Sequence, residues 1–213
     1  MAKPTTTKHN RHRTASGHTA RVLGVLAVGA LALTGCSSTP EPAPTTSVQA
    51  ADSTQQFLTA QGLDGLNTTQ IIDRLDALPV SERSQSLIAS VRPAGLVLMD
   101  DQQEVTLPIP EDKFYLSFAP YQQQTHDCHF HSLTTCLGEM QNSDVKVTVI
   151  DNKTGQKLVD ESMQTFDNGF VGLWLPRGME GTLTVEAQGK SGTTNISTVS
   201  DEDATCLTTL QLT

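Results

Sequence analysis

The sequence lacks the features that mark nucleic-acid-binding and integral membrane proteins. Basic residues are few, with 14 lysines and arginines against 23 aspartates and glutamates. Because an acidic surface repels phosphate backbones, nucleic acid is not expected as a partner. The apolar run Val22 to Leu33 is shorter than the roughly 20 residues that a transmembrane helix needs. Neither a glycine-rich phosphate loop nor a G-x-S-x-G nucleophile motif is found in the sequence.

Residues 1–35 are predicted to be a lipoprotein signal peptide and to have no part in the fold. Five basic residues and no acidic ones precede the apolar run, as in an export signal. Leu33-Thr34-Gly35-Cys36 resembles a bacterial lipobox, which implies cleavage before Cys36 and acylation of that cysteine. More than one acyl chain gives stable anchoring. We therefore expect a lipid-anchored protein on the extracytoplasmic or periplasmic face of the membrane. The alternatives are an ordinary secretory signal and an uncleaved anchor, with Cys36 incidental in both.

The rest of the chain divides by composition into a tether and two folded regions. After cleavage, nine basic residues remain against 23 acidic ones, a net charge of about −14. Residues 36–52 are rich in Pro and Thr and predict a tether, because so little of this segment is apolar. Residues 53–113 predict an N-terminal helical and β region, and residues 114–213 a C-terminal β domain.

The periodicity of apolar residues predicts helices first and strands afterwards. Two short helices are expected between Asp52 and Leu78, the second opened by a capping box of Asn67 and Gln70. From Leu87 onward, short alternating or apolar runs separated by turn residues predict strands, the last being Cys206 to Leu212. Because the helices do not alternate with the strands, we predict an α+β fold, with a small helical region followed by an antiparallel β-sandwich-like domain.

The residues that carry chemistry are concentrated in one loop. Residues 120–139 have no clean period and are rich in Gln, His, Thr and Cys, which predicts a long, ordered and functional loop. The loop contains every histidine that follows the signal and two of the cysteines: His126, Cys128, His129, His131 and Cys136. Apart from Cys36, which is expected to be acylated, the remaining cysteine is Cys206, which opens the last predicted strand. Thiolates and imidazoles suit copper and zinc, and soft sulfur selects Cu(I).

Other interpretations of the same residues stay open at this point. Three cysteines outside the cytoplasm allow at most one intramolecular disulfide and leave one thiol over. A disulfide between Cys128 and Cys136 could simply close the loop, with the histidines exposed to solvent. The thiols could also cycle through a disulfide in a redox protein, since a nearby histidine lowers a thiol pKa. The last alternative is structural, an anchored adhesion-like sandwich with one disulfide and one stray thiol.

Longer segments of the sequence resemble the CueP family of periplasmic copper-binding proteins. The resemblance is carried by four stretches that include all three cysteines: Phe114 to Tyr121, Thr125 to Glu139, Asn168 to Arg177 and Asp203 to Leu210. It implies that Cys128, Cys136 and Cys206 bind copper together. His126 matches the family motif, and the other loop histidines are near neighbours of it.

The resemblance also implies a biological role and partners. Family members are associated with copper tolerance and with supply of copper to an exported Cu,Zn superoxide dismutase, with some redox behaviour of the thiols. An N-terminal dimerisation region is implied as well, so we expect a homodimer. The lipobox at Cys36 and the tether depart from the enterobacterial members. The sequence therefore predicts a copper-binding protein or metallochaperone more than an enzyme.

Overall fold

A computed structural model describes residues 45–213, with side chains from residue 51 onward. The predictions on the signal peptide and on Cys36 fall outside these residues. Helix α1 (Thr45–Ala60) begins inside the predicted tether. Helix α2 (Thr68–Asp76) and a short 3-10 helix (Val80–Glu82) follow. No helix of the described chain is long and apolar enough to cross a membrane.

Helix α2 has the predicted capping box, and its buried face contains both apolar side chains and a carboxylate. The Asn67 side chain accepts the Gln70 N–H at 3.0 Å, and the Gln70 side chain accepts the Asn67 N–H at 3.0 Å. Ile72 and Leu75 are buried on one side of the helix, as their spacing predicts. Asp76, four residues after Ile72, is buried with them. A carboxylate on an apolar face needs hydrogen-bond partners.

Across the described residues, ten strands form three sheets. The strands are β1 (Ile88–Arg92), β2 (Gly95–Met99), β3 (Glu104–Pro108), β4 (Lys113–Phe118), β5 (Asp144–Asp151), β6 (Lys157–Gln164), β7 (Val171–Pro176), β8 (Glu180–Ala187), β9 (Lys190–Ser197) and β10 (Cys206–Leu207). Their orders are β1-β2-β3, β10-β4-β7 and β6-β5-β8-β9. All pairs of strands are antiparallel except β10 with β4. The predicted α+β class, mostly β, is confirmed.

Strand β4 is buried on both faces and joins the two hydrophobic cores. Phe114 and Phe118 belong to the core of the sandwich, with residues of β5, β7 and β8. Tyr115 belongs to the second core, with α1, α2 and the β1-β2-β3 sheet. Because side chains alternate along a strand, the same strand can serve both cores. Ser117 shares the helix-facing side, and its hydroxyl donates to Asp76.

The last strand is shorter than the predicted run from Cys206 to Leu212, and it runs parallel to β4. Only Cys206 and Leu207 pair with β4. Beyond them the Tyr121 N–H donates to the Leu210 carbonyl at 3.1 Å, and the Leu212 N–H donates to the Tyr121 carbonyl at 2.8 Å. The Thr208 hydroxyl donates to the His126 carbonyl. These bonds hold the end of the chain against the histidine loop.

Candidate metal centre

The histidine-bearing loop is held between two sheets by main-chain hydrogen bonds. The Val91 N–H of β1 donates to the His131 carbonyl at 2.8 Å. On the other side, the Cys206 N–H of β10 donates to the His129 carbonyl at 3.1 Å. The loop therefore bridges β1 and β10 although it contains no regular strand. Since buried main-chain groups must be paired, these bonds fix its path.

The three cysteines meet although Cys206 is distant in sequence. Cys206 pairs with Ser117 of β4 and is almost fully buried. It forms a disulfide with Cys128. Cys136 is the free cysteine of the described chain, and its Sγ lies 3.6 Å from the Sγ of Cys128. One disulfide and one thiol agree with the count of cysteines, but the bridge ties the loop to β10 instead of stapling the loop to itself.

The local turn around Cys136 directs its sulfur inward. The Cys136 N–H donates to the Ser132 carbonyl at 3.2 Å, and the Ser132 N–H donates to the Cys136 Sγ at 3.4 Å. The Cys136 carbonyl accepts from the Nη1 of buried Arg83 at 2.9 Å. Ala119 and Phe170 complete the apolar surroundings of the sulfur. The main chain and the Sγ of Cys136 are therefore both hydrogen-bonded, which orients the thiol.

Two overlapping groups of side chains could hold a metal ion. We call the first the outer cluster, which consists of His126, Cys128 and Cys136, and the second the inner cluster, which consists of His131, Cys136 and Cys206. Within each cluster the candidate ligand atoms all lie within 4.8 Å of one another. Cys136 is common to both. The fold therefore gathers two sulfurs and two imidazoles around the Cys136 thiol.

A buried carboxylate orients the histidine of the inner cluster. His131 Nε2 lies 2.9 Å from Asp76 Oδ1, and neither side chain is exposed. The same carboxylate accepts from the Tyr115 hydroxyl at 2.7 Å, the Ser117 hydroxyl at 3.0 Å and the Asn168 amide at 2.8 Å. Because Asp76 occupies Nε2, Nδ1 is the ring nitrogen left for a ligand. Carboxylate–histidine pairs of this kind fix the ligating nitrogen in metal sites.

The inner cluster has the electrostatics of a paired cation and anion. Burial alone would lower the pKa of His131, but the charge and hydrogen bond of Asp76, with a contribution from Cys136, raise it to about 9. Burial alone would raise the pKa of the Cys136 thiol, but His131 and the Ser132 N–H outweigh that effect and hold it below its usual value. An imidazolium beside a thiol favours the thiolate, which is the form that binds metals.

The comparisons with known proteins agree with this geometry. The family model of the periplasmic copper-binding protein CueP matches residues 70–211, which is more than half of the chain. The chain belongs to the CueP family. The crystal structure of S.CueP is 46% identical in sequence and superposes with a TM-score of 0.71, over 76% of this chain and 98% of that one. No curated protein matches the chain significantly.

The donor set of this CueP-family protein fits copper on structural grounds as well. The family is one of periplasmic copper-binding proteins, and soft thiolate ligands select Cu(I). His131 Nδ1 is buried and has no hydrogen-bond partner. The His131 ring nevertheless lies close enough to Cys136 to lower the pKa of that thiol. A buried polar atom without a partner is costly, and once the imidazole has released the Nδ1 proton, a metal bound by the neighbouring sulfurs would satisfy this nitrogen.

His129 and Glu139 of the loop lie outside both clusters. The Nε2 of His129, one of the predicted ligands, lies 3.0 Å from the Glu202 carbonyl, and its ring packs edge-on against Phe130. Glu139 is exposed, and its Oε2 accepts the N–H groups of Gln122, Gln123 and Gln124 at 2.7 to 3.3 Å. Glu139 therefore anchors the start of the loop of this CueP-family protein.

The residues that support His131 are not among the predicted site residues. Asp76 falls at the position four after Ile72, so a carboxylate on a predicted buried face was a signal that could have found it. Asn168 and Phe170 lie in a stretch that carries the family resemblance, but neither is among the predicted site residues. Phe170 packs against the His131 ring with 4.6 Å between ring centroids. Nothing in the local pattern places these residues beside a loop some 40 positions earlier.

Proposed function

We propose that this protein binds Cu(I) outside the cytoplasm through the thiolates of Cys128, Cys136 and Cys206, together with nearby histidines. The observation that carries the proposal is the convergence of three sulfurs and two imidazoles in the outer and inner clusters. Soft, anionic sulfur favours Cu(I) over harder ions. Thiolates and imidazoles also suit Zn(II), so zinc is the competing metal at this site.

Full use of the three sulfurs requires that the disulfide be reduced. A thiol reductant supplies two electrons and two protons, which convert the Cys128–Cys206 bond into two thiols. Each thiol then loses its proton when it coordinates Cu(I), and copper keeps its oxidation state. The disulfide form retains one sulfur ligand, Cys136, together with His126 and His131. We therefore expect copper affinity to depend on the thiol redox state.

The test is an anaerobic Cu(I) titration of the reduced protein against a chromogenic chelator, beside the Cys206→Ser variant. We expect one-to-one binding in the wild type, weakened in the variant by at least about tenfold, because a metal loses one ligand. His129→Asn is the matched control, since His129 lies outside both clusters and should not alter affinity. Unchanged binding in Cys206→Ser would remove the three-thiolate site, and no binding in the wild type would remove the copper function.

We also propose that the protein works at the membrane in copper tolerance. The lipobox at Cys36 supports lipid anchoring at the extracytoplasmic or periplasmic face, and the family is periplasmic. The proposed recipient of the copper is an exported Cu,Zn superoxide dismutase, and the proposed assembly is a homodimer. Mass spectrometry of the mature N-terminus would detect the acyl chains. A protein that leaves the membrane fraction at high salt without detergent would contradict the anchor.

A second candidate function is thiol–disulfide exchange, and the position of Cys136 favours it. Its sulfur is 3.6 Å from Cys128 Sγ, which is already bonded to Cys206. Attack by the Cys136 thiolate would form a Cys128–Cys136 bond, break the Cys128–Cys206 bond and release the Cys206 thiolate, with no net oxidation. Turnover with an added thiol reductant and a disulfide substrate would support this function. Stoichiometric oxidation without turnover would contradict it.

A further inference from the structure

The outer and inner clusters differ in their access to solvent although they share one sulfur. In the outer cluster, His126 is exposed and Cys128 is half-buried. In the inner cluster, Cys206 is 1% exposed and His131 is not exposed at all. Cys136, at 9% exposure, lies between these extremes. The five candidate ligands therefore form a graded series from solvent to the interior, with the shared thiol in the middle.

We propose that copper passes through two positions that share Cys136: it is loaded and released at the outer cluster and held at the inner cluster. This inference rests on the proposed copper-binding function. His126 is then the ligand of the transfer position, and His131 the ligand of the holding position. Cys136 stays bound to copper throughout, because it belongs to both clusters.

The surroundings of each histidine support different roles for the two residues. His126 lines a surface cavity of about 250 Å³ together with Gln124, Thr125, Leu137, Gly138 and Glu139, so a donor or acceptor of copper can approach it. His131 is enclosed, held by Asp76, and packs on Phe170. The His126 ring lies on the same phenyl group at a longer distance, 6.5 Å between centroids. One aromatic side chain thus flanks both positions.

Movement between the positions needs only the exchange of ligands, one at a time. Since all candidate ligand atoms within a cluster lie within 4.8 Å of one another, copper held by Cys136 can gain His131 and Cys206 as it loses His126. Cys128, whose Sγ lies 3.6 Å from that of Cys136, stays within reach in both positions, so the holding position keeps the three thiolates. No electron is transferred in this step. The one redox event is the earlier reduction of the disulfide by a thiol reductant, which must precede binding by Cys128 and Cys206.

The two roles predict different effects on rates and on affinity. A ligand used only in the transfer position lowers the barrier in both directions, so its loss slows loading and release by the same factor. A ligand of the holding position stabilises the end state, so its loss weakens affinity and speeds release. Affinity is the ratio of the two rates, which separates the roles.

The experiment compares His126→Asn, His131→Asn and His129→Asn in the full, reduced protein under anaerobic conditions. Equilibrium affinity is measured by competition with a chromogenic Cu(I) chelator, and release is measured by stopped flow into excess chelator. We expect H126N to slow release by about tenfold or more with nearly unchanged affinity, the scale of a lost supporting ligand. H131N should weaken affinity and speed release, and H129N, outside both clusters, should change neither.

The H126N variant decides the proposal, because His126 is exposed and its replacement leaves the packed interior intact. Unchanged release, or an affinity loss as large as the change in rate, would overturn the two-position route. An equal slowing in H129N would also overturn it, since the effect would then belong to the loop as a whole. If the wild type fails to bind Cu(I) in the competition assay, the proposed function fails before any rate is measured.

Discussion

The β-sandwich and the junction that carries the metal ligands are held together by different interactions. The sandwich core consists almost entirely of aliphatic and aromatic side chains from paired strands, among them Val147, Leu173 and Leu183. The junction, where α2, β4 and the histidine loop meet, contains a buried carboxylate, Asp76, with four hydrogen-bond donors. Hydrophobic burial is non-directional, whereas a buried polar network needs every partner in place.

This difference implies that stability and copper binding can be separated by region. A smaller side chain in the sandwich leaves a cavity, but the strands keep their main-chain hydrogen bonds and their register. A change in the junction leaves buried polar groups without partners and alters the orientation of His131. Changes in the sandwich should therefore lower stability alone, and changes in the junction should lower both stability and copper affinity.

The largest effect is expected from Asp76→Ala. This change leaves buried His131 without its partner, together with the hydroxyls of Tyr115 and Ser117. Removing one member of a buried ionic pair costs about 3–5 kcal/mol, to be measured by urea unfolding. Cu(I) affinity should fall as well. Asp76→Asn is the control, because asparagine is nearly identical in shape to aspartate, and it should lose less stability than Asp76→Ala. Equal losses in the two variants would show that the lost charge, and not the lost side-chain volume, determines the effect.

In the sandwich, Leu183→Ala should cost stability without affecting copper. Leu183 is fully buried in the core of the sandwich. Leucine-to-alanine changes in such cores cost about 2–5 kcal/mol, which urea unfolding would measure. The Cu(I) competition assay on the folded variant should match the wild type. A weaker Cu(I) affinity in the folded variant would mean that packing in the sandwich affects the metal ligands, and stability and copper binding would then not be separable by region.

The sandwich could be predicted from the sequence because its information is local. The alternation of Val145, Val147 and Val149 gives a strand with one buried face, and β5 covers these residues. The capping box at Asn67 likewise lies within four residues of chain and is confirmed. Period and turn chemistry act over a few residues, so strands from Leu87 onward could be predicted, whereas the last strand is shorter than predicted.

The junction could be predicted only in part because its partners are far apart in the chain. The concentration of Cys and His identified the loop, but the hydrogen bonds of Asp76 reach Tyr115, His131 and Asn168, which lie 39, 55 and 92 positions away. No periodicity relates such residues. The sequence also could not distinguish His131 from His129, because residues two apart project to the same side of an extended segment, and only the folded path of the loop exposes His129 and buries His131.

A smaller effect is expected from Gly138→Ala, which tests how tightly the loop is seated. A Cβ there would lie 2.8 Å from the Gly169 carbonyl oxygen and 2.8 Å from the Ala119 Cβ, so the main chain after Cys136 must shift. Overpacking of this kind costs about 1–3 kcal/mol, and Cu(I) affinity should fall with it.

Gly155→Ala is the matched control for that variant. Gly155 has φ of 70° with nothing within 4 Å of an added Cβ, so alanine should cost about 1–2 kcal/mol through backbone strain alone. Because Gly155 lies in the turn between β5 and β6, copper affinity should not change. Thermal unfolding and the competition assay together separate the two variants. Equal affinity in both would mean that the contact of Gly138 with Gly169 does not position Cys136.

The smallest effect is expected on the exposed face of the sandwich, at Asp160. Its carboxylate lies 2.5 Å from Lys146 Nζ and 2.7 Å from Lys157 Nζ, and these hydrogen bonds lower its pKa from 3.8 to about 2. A carboxylate whose pKa is lower in the folded state stabilises the fold above its unfolded pKa, and this contribution disappears as the pH falls through the folded pKa. Because salt and solvent screen exposed pairs, the contribution at neutral pH should be small.

Asp160→Asn should therefore change the pH dependence of stability more than stability itself. Urea midpoints measured at pH 4, 3 and 2 should fall less steeply in the variant than in the wild type, and the two proteins should converge toward pH 2. Copper affinity should be unaffected, since the strand pair β5 and β6 contributes nothing to either cluster. Parallel pH profiles for the two proteins would mean that the lysine pairs on this face do not hold the carboxylate in solution. The contrast with Asp76 would then be sharper still, because a carboxylate in this protein would affect stability only where it is buried.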